Sequence, residues 1–85
     1  MEIDSTREFE KDIKKLGGKD RKRLDEIIIL LSSGTLLGKR LHHLKNVYSV
    51  RMENRRLIYQ VVEKQNKIIL MMFKSREDVY GYLMD

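Results

Sequence analysis

Between Val47 and Tyr80, apolar and polar residues alternate with a regularity found nowhere else in the chain. Val47 to Glu53 and Arg55 to Glu63 follow the period of two expected of half-buried strands. Glu53-Asn54 between them predicts a tight connection, with Asn as the residue that tolerates a left-handed backbone. A two-residue turn fixes the pairing: Met52 faces Arg55, Arg51 faces Arg56, Val50 faces Leu57 and Tyr48 faces Tyr59. Tyr48, Val50, Leu57, Tyr59 and Val61 then share a core face, where aromatic and β-branched pairs add ~0.2–1 kcal/mol each over alanine. On the other face Arg51 meets Arg56, which destabilises a sheet unless something anionic lies over the pair. The two arginines are therefore either an anion site or solvated side chains that splay apart or pair with Glu53 and Glu63.

The rest of the pattern is helical at the start and strand-like at the end. Ile3 fits a short edge strand. Ser5-Thr6-Arg7-Glu8 resembles a capping box opening a first helix, in which Phe9, Ile13 and Leu16 form a narrow apolar stripe. Gly17-Gly18 is expected to end it through a left-handed glycine. A second helix from about Asp20 to Ser32 lines up Leu24, Ile27, Ile28 and Leu31. Ile29 and Leu30 widen its apolar face, which is either filled by helix one or left for a partner. The short glycine linker makes the two helices an antiparallel hairpin. Thr35 to Asn46 reads as a loop. After the polar turn Lys64 to Lys67, Ile68 to Phe73 reads as a strand covered on both faces. Ser75 caps a last helix carrying Val79, Tyr80, Tyr82, Leu83 and Met84. The fold expected is α+β: an N-terminal two-helix hairpin on a small twisted, mainly antiparallel sheet, with a short C-terminal helix.

Composition narrows the function. Eighty-five residues suit one modest core, so residues 1–85 read as a single domain. Eighteen Lys and Arg against 13 Asp and Glu, a net charge of +5, favour anionic partners such as nucleic acid or an acidic protein. The absence of Cys excludes disulfides, thiol nucleophiles and Cys-based zinc sites. No segment resembles a signal peptide or a membrane span, so the expected location is the cytoplasm. Lys39, Arg40, His42, His43 and Lys45 form a basic rim in the loop, pinned by Leu41 and Leu44. Lys39, Arg40, His42 and Lys45 are the candidate RNA-binding residues. The His pair lacks the further ligands of a metal site, and phosphate contact suits it better.

Tyr48, Arg51, Arg56 and Tyr59 in the hairpin, followed by Arg76, Val79 and Tyr80, resemble the pattern of the RelE/ParE toxin superfamily over nearly the whole chain. The RelE branch implies a toxin that cuts mRNA in the ribosomal A site without metal or other cofactor. It also implies a cognate RelB-like antitoxin, expected to be acidic, in a hetero-oligomer that binds DNA. In such chemistry a ribose 2′-hydroxyl attacks the adjacent phosphate, which needs a proton acceptor, cations for the phosphorane and a proton donor for the leaving oxygen. Arg51 and Arg56 suit the phosphate clamp, and Lys74, Arg76 and Tyr80 would complete the catalytic set. Two departures stand out. Ser49 occupies a position where some RelE-like nucleases carry a lysine base, and ideal pairing turns Lys74 to the core face unless a bulge intervenes. The alternatives are a ParE-like DNA gyrase poison without nuclease activity and an inactive antitoxin-binding module.

Overall fold

A computed structural model describes residues 1–83; Met84, read above as part of the last helix, lies outside them. The elements run β1 (Glu2–Ser5), α1 (Arg7–Ile13), α2 (Gly18–Ser32), β2 (Lys39–Arg40), β3 (Val47–Met52), β4 (Arg55–Val62), β5 (Lys67–Ser75) and α3 (Arg76–Leu83). They build one five-stranded sheet of order β1-β5-β4-β3-β2. Every neighbouring pair is antiparallel except β1 and β5. The α+β architecture matches the expectation, with β2 as a short addition inside the segment read as a loop. No helix among the described residues is long and apolar enough to cross a membrane.

The hairpin register is the one the alternation dictates: Tyr48 opposite Tyr59, Val50 opposite Leu57, Arg51 opposite Arg56 and Met52 opposite Arg55. The left-handed residue of the turn is Glu53, at φ 53°, rather than Asn54. Val50, Leu57, Tyr59, Val61, Ile68, Leu70 and Phe73 pack against Phe9 and Ile13 of α1 and Leu24 and Leu31 of α2. On the opposite face Val47, Ile58 and Met72 meet Val79 of α3. β5 is therefore covered on both sides, as its apolar run requires.

The helix boundaries differ from the sequence reading in two places. Thr6, not Ser5, caps α1: its hydroxyl accepts from the Phe9 amide at 3.1 Å and donates to the Met71 carbonyl at 2.6 Å. The second bond explains the choice, because it ties the helix start to the sheet. Gly17 does not stop α1 through a left-handed turn; it is extended, at φ −68°, and serves as N-cap of α2. Ile29 and Leu30 remain 65 % and 45 % exposed, so α1 does not fill that strip. Ser75 does cap α3, its hydroxyl accepting from the Asp78 amide at 3.3 Å.

Candidate functional site

The α3 side of the sheet is only partly covered. Its uncovered portion carries the alternate residues of the hairpin, Ser49, Arg51 and Arg56. Three adjoining hollows meet there, and Arg56 lines all of them. The widest, ≈ 670 Å³, is bounded by Arg51 and Arg56 of the hairpin and by Lys39, Arg40 and His42 of the β2 edge. That volume is within the range of small-ligand sites. The second brings Arg76 of α3 beside Arg51 and Arg56 at the turn end. The third is walled by Leu41, Ile58, Val79 and Leu83, and His43, Ser49, Arg56, Arg76 and Tyr80 line it as well.

Local structure explains the convergence. The two-residue turn sets Arg51 and Arg56 side by side on one face. The Ser75 cap starts α3 where Arg76 returns over that face, and the next turn delivers Tyr80. The Arg76 guanidinium lies over the Tyr80 ring, 5.6 Å from its centroid, which orients both. Gly38 makes the third side possible. It adopts φ 82°, and a Cβ there would stand 2.2 Å from the Ser49 carbonyl oxygen. Only glycine lets Lys39 and Arg40 pair so closely with Ser49 and Tyr48.

Positive charge is concentrated, with Glu53 and Glu77 as the acids that also line the turn-end hollow. Among the described residues, no ion pair involves Lys39, Arg40, Arg51, Arg56 or Arg76. Glu53 points instead to Arg23, at 4.0 Å. Guanidinium groups held together and not ion-paired bind phosphate oxygens well, because the anion relieves the repulsion and accepts paired hydrogen bonds. No group of three or more His, Cys, Asp or Glu side chains is gathered among the described residues.

The remaining candidates lie elsewhere. A bulge shifts the β4–β5 register between Ile58 and Tyr59, so Lys74 stands opposite Arg56 rather than on the core side. Its ammonium nevertheless turns to α1, donating to Glu8 at 2.6 Å and Asp12 at 2.7 Å. Burial opposes the charge on Lys74, but the bonds to Asp12 and Glu8 outweigh it and raise its pKa well above the ordinary lysine value. The Lys74 bond in turn holds the Glu8 carboxyl below its ordinary value. The Tyr82 ring lies 4.5 Å from the ammonium, and its hydroxyl donates to Glu8 at 3.2 Å. Lys74 is thus a fastener between β5, α1 and α3 and lines none of the three hollows. Lys45 is also separate, beside Gln60 and Lys64 at the far end of the β3–β4 pair. His43, read from the sequence as part of the basic rim, and Ser49, read as a departure from the lysine base, join the site although neither was among the candidate catalytic or RNA-binding residues. The signal for His43 was its place between Leu41 and Leu44, both packed against the α3-side core.

The ParE toxin model of type II toxin-antitoxin systems (parDE) matches residues 3–80. No curated protein sequence matches. Among solved structures, the Escherichia coli RelBE toxin-antitoxin complex superposes with a TM-score of 0.79 at 18 % identity, over 87 % of this chain and 94 % of that one. The RelB-RelE complex from Methanococcus jannaschii gives 0.77 at 26 % identity, over 94 % and 98 %. A mutant of Escherichia coli YafQ gives 0.72 at 16 % identity, over 94 % and 98 %.

Proposed function

The chain belongs to the ParE toxin family of type II toxin-antitoxin systems, within the RelE/ParE superfamily, and from that premise we propose that it cleaves mRNA in the ribosomal A site. The observation that carries this reading is the meeting of Arg51, Arg56 and Arg76 beside Tyr80, with no ion pair to any of the three arginines among the described residues. Arg51 and Arg56 grip the scissile phosphate and stabilise the charge that accumulates as the 2′-oxygen attacks. Arg76 adds a third cation from α3 and holds the Tyr80 ring. Tyr80 stacks on a base or gives its phenolic proton to the departing 5′-oxygen. Lys39, Arg40 and His42 track the neighbouring phosphates. Lys74, already hydrogen-bonded to two carboxylates, fixes α3 in place.

Toeprinting on programmed ribosomes tests the proposal. Wild-type protein should cut the A-site codon, and Arg56→Ala should lose ~10²–10³-fold in rate, the usual cost of one transition-state donor. Its circular dichroism and melting should be unchanged, because Arg56 has no ion-pair partner among the described residues to lose. Equal cleavage by the two proteins removes Arg56 from the mechanism.

A second reading is a gyrase poison. The ParE description of the matching family favours it, as does Ser49 at the position of the lysine base. Inhibition of supercoiling in vitro, with ribosomes and mRNA left intact, selects it.

Silencing by an antitoxin follows from the same family. Solved RelB–RelE complexes set the precedent. An acidic antitoxin segment would neutralise the arginine hollow, and its apolar residues would cover Ile29 and Leu30. Ile29→Asp should weaken such a complex in a pull-down, and unchanged retention would exclude that strip.

A further inference from the structure

The geometry points to His43 as the proton acceptor for the 2′-hydroxyl, an assignment that rests on the nuclease reading above. The reaction needs a group that starts without a proton and takes one. Guanidinium groups cannot lose theirs, and a phenol arrives protonated, so Arg56, Arg76 and Tyr80 are unsuited. Ser49 is a neutral hydroxyl. Lys74 is engaged by Glu8 and Asp12. Imidazole is the side chain that exchanges a proton near neutrality, and His43 lines the same hollow as Arg56, Arg76 and Tyr80.

Its position is held from both sides. The Leu41 amide donates to the Val47 carbonyl at 2.8 Å, and the Leu44 amide donates to the Leu41 carbonyl at 3.1 Å. Both leucines pack on the core beneath α3. His43, exposed between them, lines one hollow with Ser49 of β3, Arg56 of β4, and Arg76 and Tyr80 of α3. In the step itself, a new bond forms from the 2′-oxygen to phosphorus and the bond from phosphorus to the 5′-oxygen breaks. The 2′ proton passes to the free ring nitrogen of His43, and the 5′-oxygen takes the Tyr80 proton. The products are a 2′,3′-cyclic phosphate and a 5′-hydroxyl, after which His43 returns its proton to solvent and Tyr80 regains one.

Single-turnover cleavage on programmed ribosomes, measured from pH 5 to 8, tests this with wild type, His43→Gln, His42→Gln and Arg56→Ala. His43→Gln should cleave ~10²–10⁴-fold more slowly, bind ribosomes as wild type does and lose the rise of rate with pH. His42→Gln, which alters an RNA contact, should weaken binding and keep that rise. Cleavage by His43→Gln at the wild-type rate, or with the wild-type pH profile, overturns the assignment; slow cleavage by Arg56→Ala in the same series leaves the nuclease reading standing. Absence of cleavage by wild type overturns both.

Discussion

Replacing Lys74 with Met separates a structural role from a chemical one. The ammonium is 12 % exposed and bonded to two carboxylates, of which Asp12 is 10 % exposed. Met keeps the length and apolar stem of lysine and deletes the charge. Asp12 would then retain one partner, the Phe73 amide at 2.9 Å, for a carboxylate taken almost wholly out of water. Removing one member of a buried pair costs about 3–5 kcal/mol. Because solvent reaches the Glu8 side of the cluster, screening brings the cost to the bottom of that range or just below it, about 2–3 kcal/mol. That is a large part of the roughly 5–10 kcal/mol expected of a domain this small. At about 4–8 °C per kcal/mol, the melting temperature should fall by ~8–24 °C. Urea and thermal unfolding followed by circular dichroism measure it. Adding Asp12→Asn to Lys74→Met should recover part of the loss, since the neutral amide still accepts from Phe73 and no longer strands a charge. A loss under ~1 kcal/mol, or no coupling in the double mutant, refutes the account. A Lys74→Met protein that stays fully stable but stops cleaving would make Lys74 a catalytic group after all.

Three further outcomes follow from local geometry. Glu53→Gly should stabilise by ~0.5–1 kcal/mol in urea unfolding, because Glu53 sits at φ 53° where glycine is at ease. Gly38→Ala should destabilise by ~1–3 kcal/mol and lower RNA affinity, since its Cβ would collide with the Ser49 carbonyl and push Lys39 and Arg40 off the sheet edge. Glu8 has a folded pKa below its ordinary 4.5, so its contribution is present above that value and lost as pH falls through the lowered one. Glu8→Gln should therefore flatten the acid limb of stability against pH; an unchanged limb would remove Glu8 from the linkage. The raised pKa of Lys74 has the opposite sign: its contribution is complete below 10.5 and lost only in stronger alkali.

The hairpin was legible because its constraints are local. Alternation decides the faces, and a two-residue turn then leaves one register, so Arg51 and Arg56 follow from counting. Arg76 and Tyr80 were legible for a similar reason, since the Ser75 cap sets where α3 begins and helical spacing sets the rest. The β2 pairing was not legible. Lys39–Arg40 is two residues long, and what docks it is the left-handed Gly38 against Ser49, a contact with no periodic trace.

Lys74 marks where charge and proximity in sequence cease to be guides. It stands opposite Arg56 and two residues before Arg76, yet it is ion-paired while those arginines form no ion pair among the described residues. The difference originates in the sheet edge. β1 pairs with β5 only as far as Leu70, and beyond that point the outer edge of β5 needs other hydrogen-bond partners. Side chains from the start and end of α1 supply them: Thr6 donates to the Met71 carbonyl, and Asp12 accepts from the Phe73 amide. A carboxylate recruited to satisfy that amide needs a counter-charge, and Lys74 is the next residue along the strand. The acid that completes the fold thus withdraws the nearest lysine from the arginine hollow. A proton acceptor there has to come from another element, and the imidazole on the loop before β3 is already in reach of that hollow.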